Sequence, residues 1–276
     1  MTREGAWTCA ARHDRGVMKT RTAGGALERA LDFQRATLEL VTDRVVAIDQ
    51  GWLVREPSLP LVWSANHVRI SRPLAFAEAL ELAEAHLADL PYRQLMIEHE
   101  ATGRRLERSF AEQRWEVDRE VVMQLSAPPD RDVDLSAVVE ADEQAVMGLM
   151  RRWIGEDETI ELTPDGLDQV VEFTRRVARS RSARLFGMQA ERGGLAAITM
   201  LYSDGVVAQV EDVYTVPEER RRGHARALVT RAAEAARAAG HEFVFIIADA
   251  DDWPQQLYHR VGFEPIGRTW ALHRGD

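Results

Sequence analysis

Apolar positions along this chain recur either three to four residues apart or every second residue, and the changes between these periods mark out its elements. In the first half, residues 61–70, 95–98 and 120–125 predict strands, and residues 74–90 and 104–113 predict helices. In the second half, residues 133–139 predict a strand and residues 142–154 a helix. A further helix over 164–179 opens with Thr163 as N-cap and Pro164 at its first position. Three β-rich runs follow, 184–190, 195–202 and 206–216, separated by the glycine-containing turns 192–194 and 203–205. That spacing predicts an antiparallel meander. The Ala- and Arg-rich stretch 224–239 predicts a helix ending at Gly240, where a left-handed cap suits glycine. Residues 243–248 are apolar throughout, as a strand buried on both faces beside a parallel neighbour would be. A helix over 253–260 and a strand over 268–273 complete the pattern.

The run Ser126-Ala127-Pro128-Pro129-Asp130-Arg131-Asp132 interrupts this periodicity near the middle, and such composition marks a linker, placed here at 127–132. Shifting the sequence by 148 residues sets Trp115 on Phe263 and Phe110 on Tyr258. The segments RSFAEQRWEVDREVVMQL and HRVGFEPIGRTWALH then share their spacing, which suggests a duplicated unit. An unrelated α/β domain in the first half is the alternative. Residues 1–22 lack the apolar core of a secretory signal, so a disordered tail with an incidental Cys9 is expected, and Met1 and Met18 both stand as candidate starts.

Composition narrows the class. With 276 residues, 45% hydrophobic and 29% charged, the chain has material for two ordinary domains and no stretch of ~20 apolar residues to span a bilayer. A net charge of −10 opposes general affinity for nucleic acid, so any basic patch is local. A single cysteine excludes an intrachain disulfide framework and suits a reducing, cytoplasmic setting. No His, Asp and Glu grouping has metal-ligand spacing, and no Ser, His, Asp order suggests a nucleophilic triad.

The segment with the most chemistry is Val213-Tyr214-Thr215-Val216-Pro217-Glu218-Glu219-Arg220-Arg221-Arg222-Gly223-His224-Ala225-Arg226. Three arginines just ahead of a helix face its partial positive charge, an unfavourable arrangement unless an anion lies there. Gly223 permits close backbone approach, and the amides of Arg222, Gly223, His224 and Ala225 are free to cradle phosphate oxygens. This R-x-x-G-x-A pattern, from Arg220 through Gly223 to Ala225, resembles the acetyl-CoA pyrophosphate loop of the GCN5-related N-acetyltransferase (GNAT) superfamily. One helix and one strand later, Leu257-Tyr258-His259-Arg260-Val261-Gly262-Phe263 resembles that family's L-Y-x-x-x-G-F segment.

The resemblance covers residues 132–276 in detail and the first half only as an eroded copy. It implies an α/β (α+β) protein of two GNAT-like domains, each a mixed, mostly antiparallel sheet flanked by helices: a degenerate one over 23–126 and a working one over 133–276. It implies an N-acetyltransferase that moves acetyl directly from acetyl-CoA, its acyl-donor cosubstrate, to a small-molecule or peptide amine in a ternary complex, with no metal. Val213 and Thr215 are then expected to face the pantetheine arm. Arg220, Arg221, Arg222, Gly223, His224, Ala225 and Arg226 are expected around the phosphates. Asp251 stands where the family often has Asn beside the cofactor, and Pro254 replaces a frequent small residue. Tyr258 is expected to protonate the leaving thiolate, for which an ordinary Tyr pKa of about 10 is serviceable.

Period-two alternation along the strand puts Gln209, Glu211 and Val213 on one face and Val210, Asp212 and Tyr214 on the other. The resemblance implies a general base two or four residues before Val213, at Glu211 or Gln209, and of the two only Glu211 titrates; Asp212 is the second choice, while His224 and His259 are expected at the surface or facing phosphate. The run Glu156-Asp157-Glu158-Thr159-Ile160-Glu161 is a candidate attractant for a cationic acceptor, or simply a solvated face. Trp153 and Phe173 suit either a pocket or the core. The first half has no glycine in Ser71-Arg72-Pro73-Leu74-Ala75 and Phe110 in place of Tyr258, so it is expected to be scaffold, dimer surface or acceptor-site wall. No nucleic acid or membrane partner is expected, a homodimer is admitted, and a noncatalytic acyl-CoA sensor or interaction module is the alternative function.

Overall fold

Each half of the chain lays down an antiparallel meander, crosses over through a helix to a parallel strand, and returns through a second helix. The computed structural model describes residues 25–156, 162–191 and 193–275; the N-terminal tail with Cys9, and most of the acidic run after Glu156, lie outside them. The first half comprises α1 (Ala26–Val41), β1 (Arg44–Ile48), β2 (Gly51–Arg55), β3 (His67–Ile70), α2 (Phe76–Leu87), β4 (Tyr92–Ile97), α3 (Glu100–Glu112) and β5 (Glu116–Leu125). The second comprises β6 (Val138–Glu140), α4 (Glu143–Glu156), α5 (Pro164–Ser180), β7 (Arg184–Gln189), β8 (Leu195–Ser203), β9 (Val207–Thr215), α6 (His224–Ala238), β10 (Phe243–Asp249), α7 (Pro254–Val261) and β11 (Phe263–Gly275).

Local signals account for several boundaries. Thr163 caps α5 as expected, accepting from the Gly166 amide at 3.1 Å. The strand expected over 61–70 shortens to β3 because a helical turn at 63–65 precedes it. Asn66 secures that turn, donating to the carbonyls of Leu59 and Val62 and accepting from the Glu56 amide. Residues 25–60, unassigned from the sequence, hold α1, β1 and β2.

The two sheets expected of two domains are one: the described residues form an eleven-stranded sheet in the order β1-β2-β3-β4-β11-β5-β10-β9-β8-β7-β6. The last strands of the halves are exchanged. β5 pairs antiparallel with β10 of the second half, and β11 with β4 of the first, while β5 and β11 pair with each other at the centre. In each half the fourth main strand is parallel to the third, β4 to β3 and β10 to β9. Helices α2 and α3, with α6 and α7, cover one face. On the other face α1, α4 and α5 share a core in which Phe33 of the first half meets Phe245 of the second edge-on at 5.7 Å.

The expected linker is held in place. The amides of Ser126 and Ala127 both donate to the Gly262 carbonyl, at 2.9 and 3.1 Å, and the Asp130 amide donates to that of Arg260 at 2.9 Å. Arg237 donates to the Ala127 carbonyl at 2.6 Å.

Candidate active site

The parallel pairing of β9 with β10 runs from Val207 opposite Phe243 to Val210 opposite Ile246 and ends there, although β9 continues to Thr215 and β10 to Asp249. Beyond that point the strands part, and the backbone groups of β9 from Glu211 onward lose their β10 partner. A bulge on the other side of β9 accompanies the parting. Ile198 pairs with Tyr214 but Met200 with Glu211, so Asp212 and Val213 together oppose Thr199. Asp212 has φ of 53°, rare for a non-glycine residue. Two side chains hold the bulge: Thr199 donates its hydroxyl to the Glu211 carbonyl at 2.9 Å, and Tyr202 donates to the Asp212 carboxylate at 3.1 Å.

The bulge breaks the expected alternation. Gln209 and Glu211 lie opposite Tyr202 and Met200, on the α1, α4 and α5 face. Val213 instead packs with Val210 and Tyr258 on the α6 and α7 face, and Tyr214 stacks on Trp153 of α4 at 4.5 Å. One extra residue thus puts Glu211 on one side of the opening and Val213 on the other.

On the Val213 side lies a cavity of about 720 Å3 between β9, the N-terminus of α6, and α7. Of the residues expected there, Val213, Thr215, Arg220, Arg221, Gly223, His224, Ala225, Arg226 and Tyr258 line it. Gly223 caps α6 with φ of 88°, in the left-handed region that favours glycine, and a side chain built on it would meet open space. No side chain caps the α6 amides, which leaves the helix N-terminus open for an anion. The buried Thr215 hydroxyl has no partner. Arg220 donates to the Thr215 carbonyl at 3.2 Å, whereas Arg221, with φ of 64°, makes no ion pair or side-chain hydrogen bond among the described residues.

Two expected residues are not brought to this cavity. Arg222 turns to Glu219 at 2.9 Å, and Glu219 also meets His224 at 3.3 Å. Asp251 forms a double hydrogen bond with Arg119 of β5 at 2.8 and 2.9 Å. Its amide is tied to the Asp249 carboxylate, so the turn after β10 presents Asp252 to the cavity in its place. Unexpected from the sequence are Arg131, Arg260 and Trp253, which also line it. Arg131 was hidden in a segment that reads as a spacer, and Arg260 behind the more conspicuous Tyr258. Phe173 lies in the core, and Trp153 reaches the cavity. His259 is exposed and meets Glu264 at 3.1 Å.

On the Glu211 side lies a second cavity of about 360 Å3, walled by β9, β10 and the exchanged β5. Asp118, Glu120, Glu211 and Asp249 give it four carboxylates, against the one guanidinium of Arg119, which Asp251 already engages. Burial, with Asp212 and Glu120 adding like charge, raises the Glu211 carboxyl to about 8. Asp212 is raised to about 6 by burial against the Tyr202 hydrogen bond, which lowers it. Glu120 accepts from the Thr269 hydroxyl at 2.7 Å and is raised, chiefly by burial. Tyr258 is raised well above the ordinary tyrosine range by burial and then by the charge of Glu211, so its hydroxyl stays protonated at any working pH. A protonated donor on one side of a strand opening and an elevated carboxyl on the other suit a reaction that gives a proton at one point and takes one at another.

Residues 147–263 match the model of the Acetyltransferase (GNAT) family. That segment, a GNAT acetyltransferase domain, runs from within α4 to the first residue of β11 and contains both motifs and the strand opening. No curated protein matches the chain. Among solved structures, a functionally unknown conserved protein from Staphylococcus epidermidis aligns with a TM-score of 0.62 at 13% identity, over 86% of this chain and 95% of its own. A GCN5-related N-acetyltransferase from Kribbella flavida aligns with a TM-score of 0.57 at 18% identity, over 92% and 96%. A GCN5-related N-acetyltransferase from Sphaerobacter thermophilus aligns with a TM-score of 0.52 at 16% identity, over 71% and 66%. These likenesses show a mixed α/β, GNAT-like fold. Among the described residues no helix is long and apolar enough to cross a membrane, and no group of three or more His, Cys, Asp or Glu could hold a metal.

Proposed function

We propose that the protein is an acetyl-CoA-dependent N-acetyltransferase that transfers acetyl directly to an amine in a ternary complex. The observation that carries this reading is the parting of β9 from β10 between an uncapped helix N-terminus and an elevated carboxyl. The residues present fit the donor. Open α6 amides, the free space at Gly223 and the unpaired Arg221 suit a pyrophosphate, and the unpartnered Thr215 hydroxyl suits a polar arm laid along β9. When bound, acetyl-CoA supplies an activated acyl carbonyl.

The chain's own groups then divide the work. The amine waits in the second cavity, where the carboxylates of β5 and β10 draw in its cationic form. Glu211, ionised, takes the ammonium proton, and the amine nitrogen attacks the acyl carbon. The carbon–sulfur bond breaks, Tyr258 gives its proton to the departing sulfur, and the second proton leaving the acylated nitrogen returns to the Tyr258 oxygen, so that a neutral amide and a thiol are formed. A direct route needs no nucleophile on the protein.

The first half supplies β5 and Gln34 to the wall of the acceptor cavity. We read it as a copy of the second half without a phosphate loop, on the grounds of its matching order of elements and of the sequence Ser71-Arg72-Pro73 where the loop would stand. Acetyl-CoA at a hundredfold excess over its Kd should stabilise the protein by ~2.7 kcal/mol, a shift of several degrees in Tm. Gly223→Glu, which sets a carboxylate in the phosphate position, should abolish the shift. A protein unmoved by acetyl-CoA or CoA, or one that binds but releases no thiol across a broad amine panel, would refute the activity.

A further inference from the structure

The donor cavity carries more positive charge than a pyrophosphate at the α6 N-terminus accounts for. Arg131 of the inter-half segment and Arg260 in the last turn of α7 line it alongside Arg226. These three guanidinium groups all act on one carboxylate, that of Asp130, which they hold below its ordinary range together with the direct Arg226 contact. Asp130 hydrogen-bonds only Arg226 among them, at 2.5 Å. Arg131 and Arg260 have no ion pair or side-chain hydrogen bond among the described residues. Asp130 itself does not line the cavity; of the carboxylates that do, Glu219 is engaged by Arg222 and His224, and Asp252 accepts from the Trp253 amide.

The segment bearing Arg131 is also fixed. Its backbone is tied to the carbonyls of Gly262 and Arg260, and Arg237 and Arg226 hold it from α6. A loose spacer would pay ordering entropy to bring an arginine to a ligand; this one has been ordered by folding.

We propose that Arg131 and Arg260 form a second anion site, which receives the phosphate monoester that coenzyme A carries on its ribose beyond the pyrophosphate. A monoester dianion matches two free guanidinium groups in charge, and their planar donors suit its oxygens. This rests on the cavity's being the acetyl-CoA site. It makes the inter-half segment a specificity element that separates coenzyme A from the same molecule lacking that phosphate.

Isothermal titration calorimetry on the full chain with CoA and with dephospho-CoA tests it. The expected result is a preference of about tenfold or more for CoA in the unaltered protein, reduced to about twofold or less in Arg131→Gln/Arg260→Gln, with dephospho-CoA affinity nearly unchanged. Raising salt should shrink the preference in the parent and not in the variant. Equal affinity for the two ligands in the parent would overturn the proposal, as would a variant that weakens both alike, which would place the arginines on the pyrophosphate. Failure of both ligands to bind at all would instead overturn the acetyl-CoA reading on which it stands.

Discussion

At the scale of single residues, the site turns on where protons sit. Glu211 has a carboxyl raised from 4.5 to about 8 by burial and by Asp212 and Glu120, so it is largely protonated at neutral pH in the folded protein and ionised in the unfolded chain. The folded state therefore binds more protons. Stability from this group is fully present below the ordinary carboxylate value and is lost as pH rises through about 8. Thermal denaturation without ligand should show Tm falling over that interval, and Glu211→Gln should flatten the fall. As a base the same group must be ionised, so kcat/KM should rise with pH to a plateau above about 8 in the parent. In Glu211→Gln it should be low and lack that inflection. Tyr258→Phe should lower kcat by about 100-fold, within the range of general acid–base catalysis, and leave CoA affinity unchanged. A fall in CoA affinity equal to the fall in kcat would make Tyr258 a packing residue only. The open start of α6 and the place of Tyr258 in the cavity beside it were readable in the sequence because helix starts and short motifs are local. The turn of Asp251 to Arg119, 132 positions away, was not, because nothing near Asp251 announces its partner.

The elements repeat that contrast. Meander, crossover helix and buried strand were legible in the second half, since the turns at 192–194 and 203–205 and the cap at Thr163 act over a few residues. The bulge in β9 was not, because it depends on Thr199 and Tyr202 of the neighbouring strand, and alternation alone misassigned Val213 and Tyr214. β11 was expected over 268–273 but starts at Phe263, since its early residues pair with β5 around an irregularity between Pro265 and Gly267. Two glycines test how these elements are set. Gly262 ends α7 with φ of 105°, and a Cβ on it would stand 2.1 Å from the Ala127 carbonyl oxygen. Gly262→Ala should cost ~2 kcal/mol or more in urea denaturation and displace the segment that carries Arg131. Gly148 is exposed within α4, with nothing within 4 Å of a Cβ, so Gly148→Ala should stabilise the protein by ~0.5–1 kcal/mol.

At the scale of the whole molecule, the division into halves that the Pro- and Asp-rich run suggested is a division of sequence and not of packing. Strand order cannot be read from one chain's periodicity, because β5 presents the same alternation whichever half it joins. Once β5 and β11 trade places, each half lacks a strand of its own and borrows one. A chain of residues 133–276 alone would leave β10 without β5 and β11 without either neighbour, exposing long apolar edges. It would also uncover Phe245 where Phe33 of α1 packs, and free Arg181, which donates to the Thr37 hydroxyl and the Phe33 carbonyl across the halves. The second half should therefore be insoluble or unfolded when made alone, even though it contains the whole cavity beside α6 apart from Arg131 of the inter-half segment. The full chain should unfold in one calorimetric transition, with the van't Hoff and calorimetric enthalpies in agreement, because no boundary in the sheet separates a part that could melt first. Two resolved transitions, or a soluble second half that binds acetyl-CoA like the parent, would show that the exchanged strands are dispensable. They would also make the wall that β5 and Gln34 of α1 give to the second cavity dispensable to the fold.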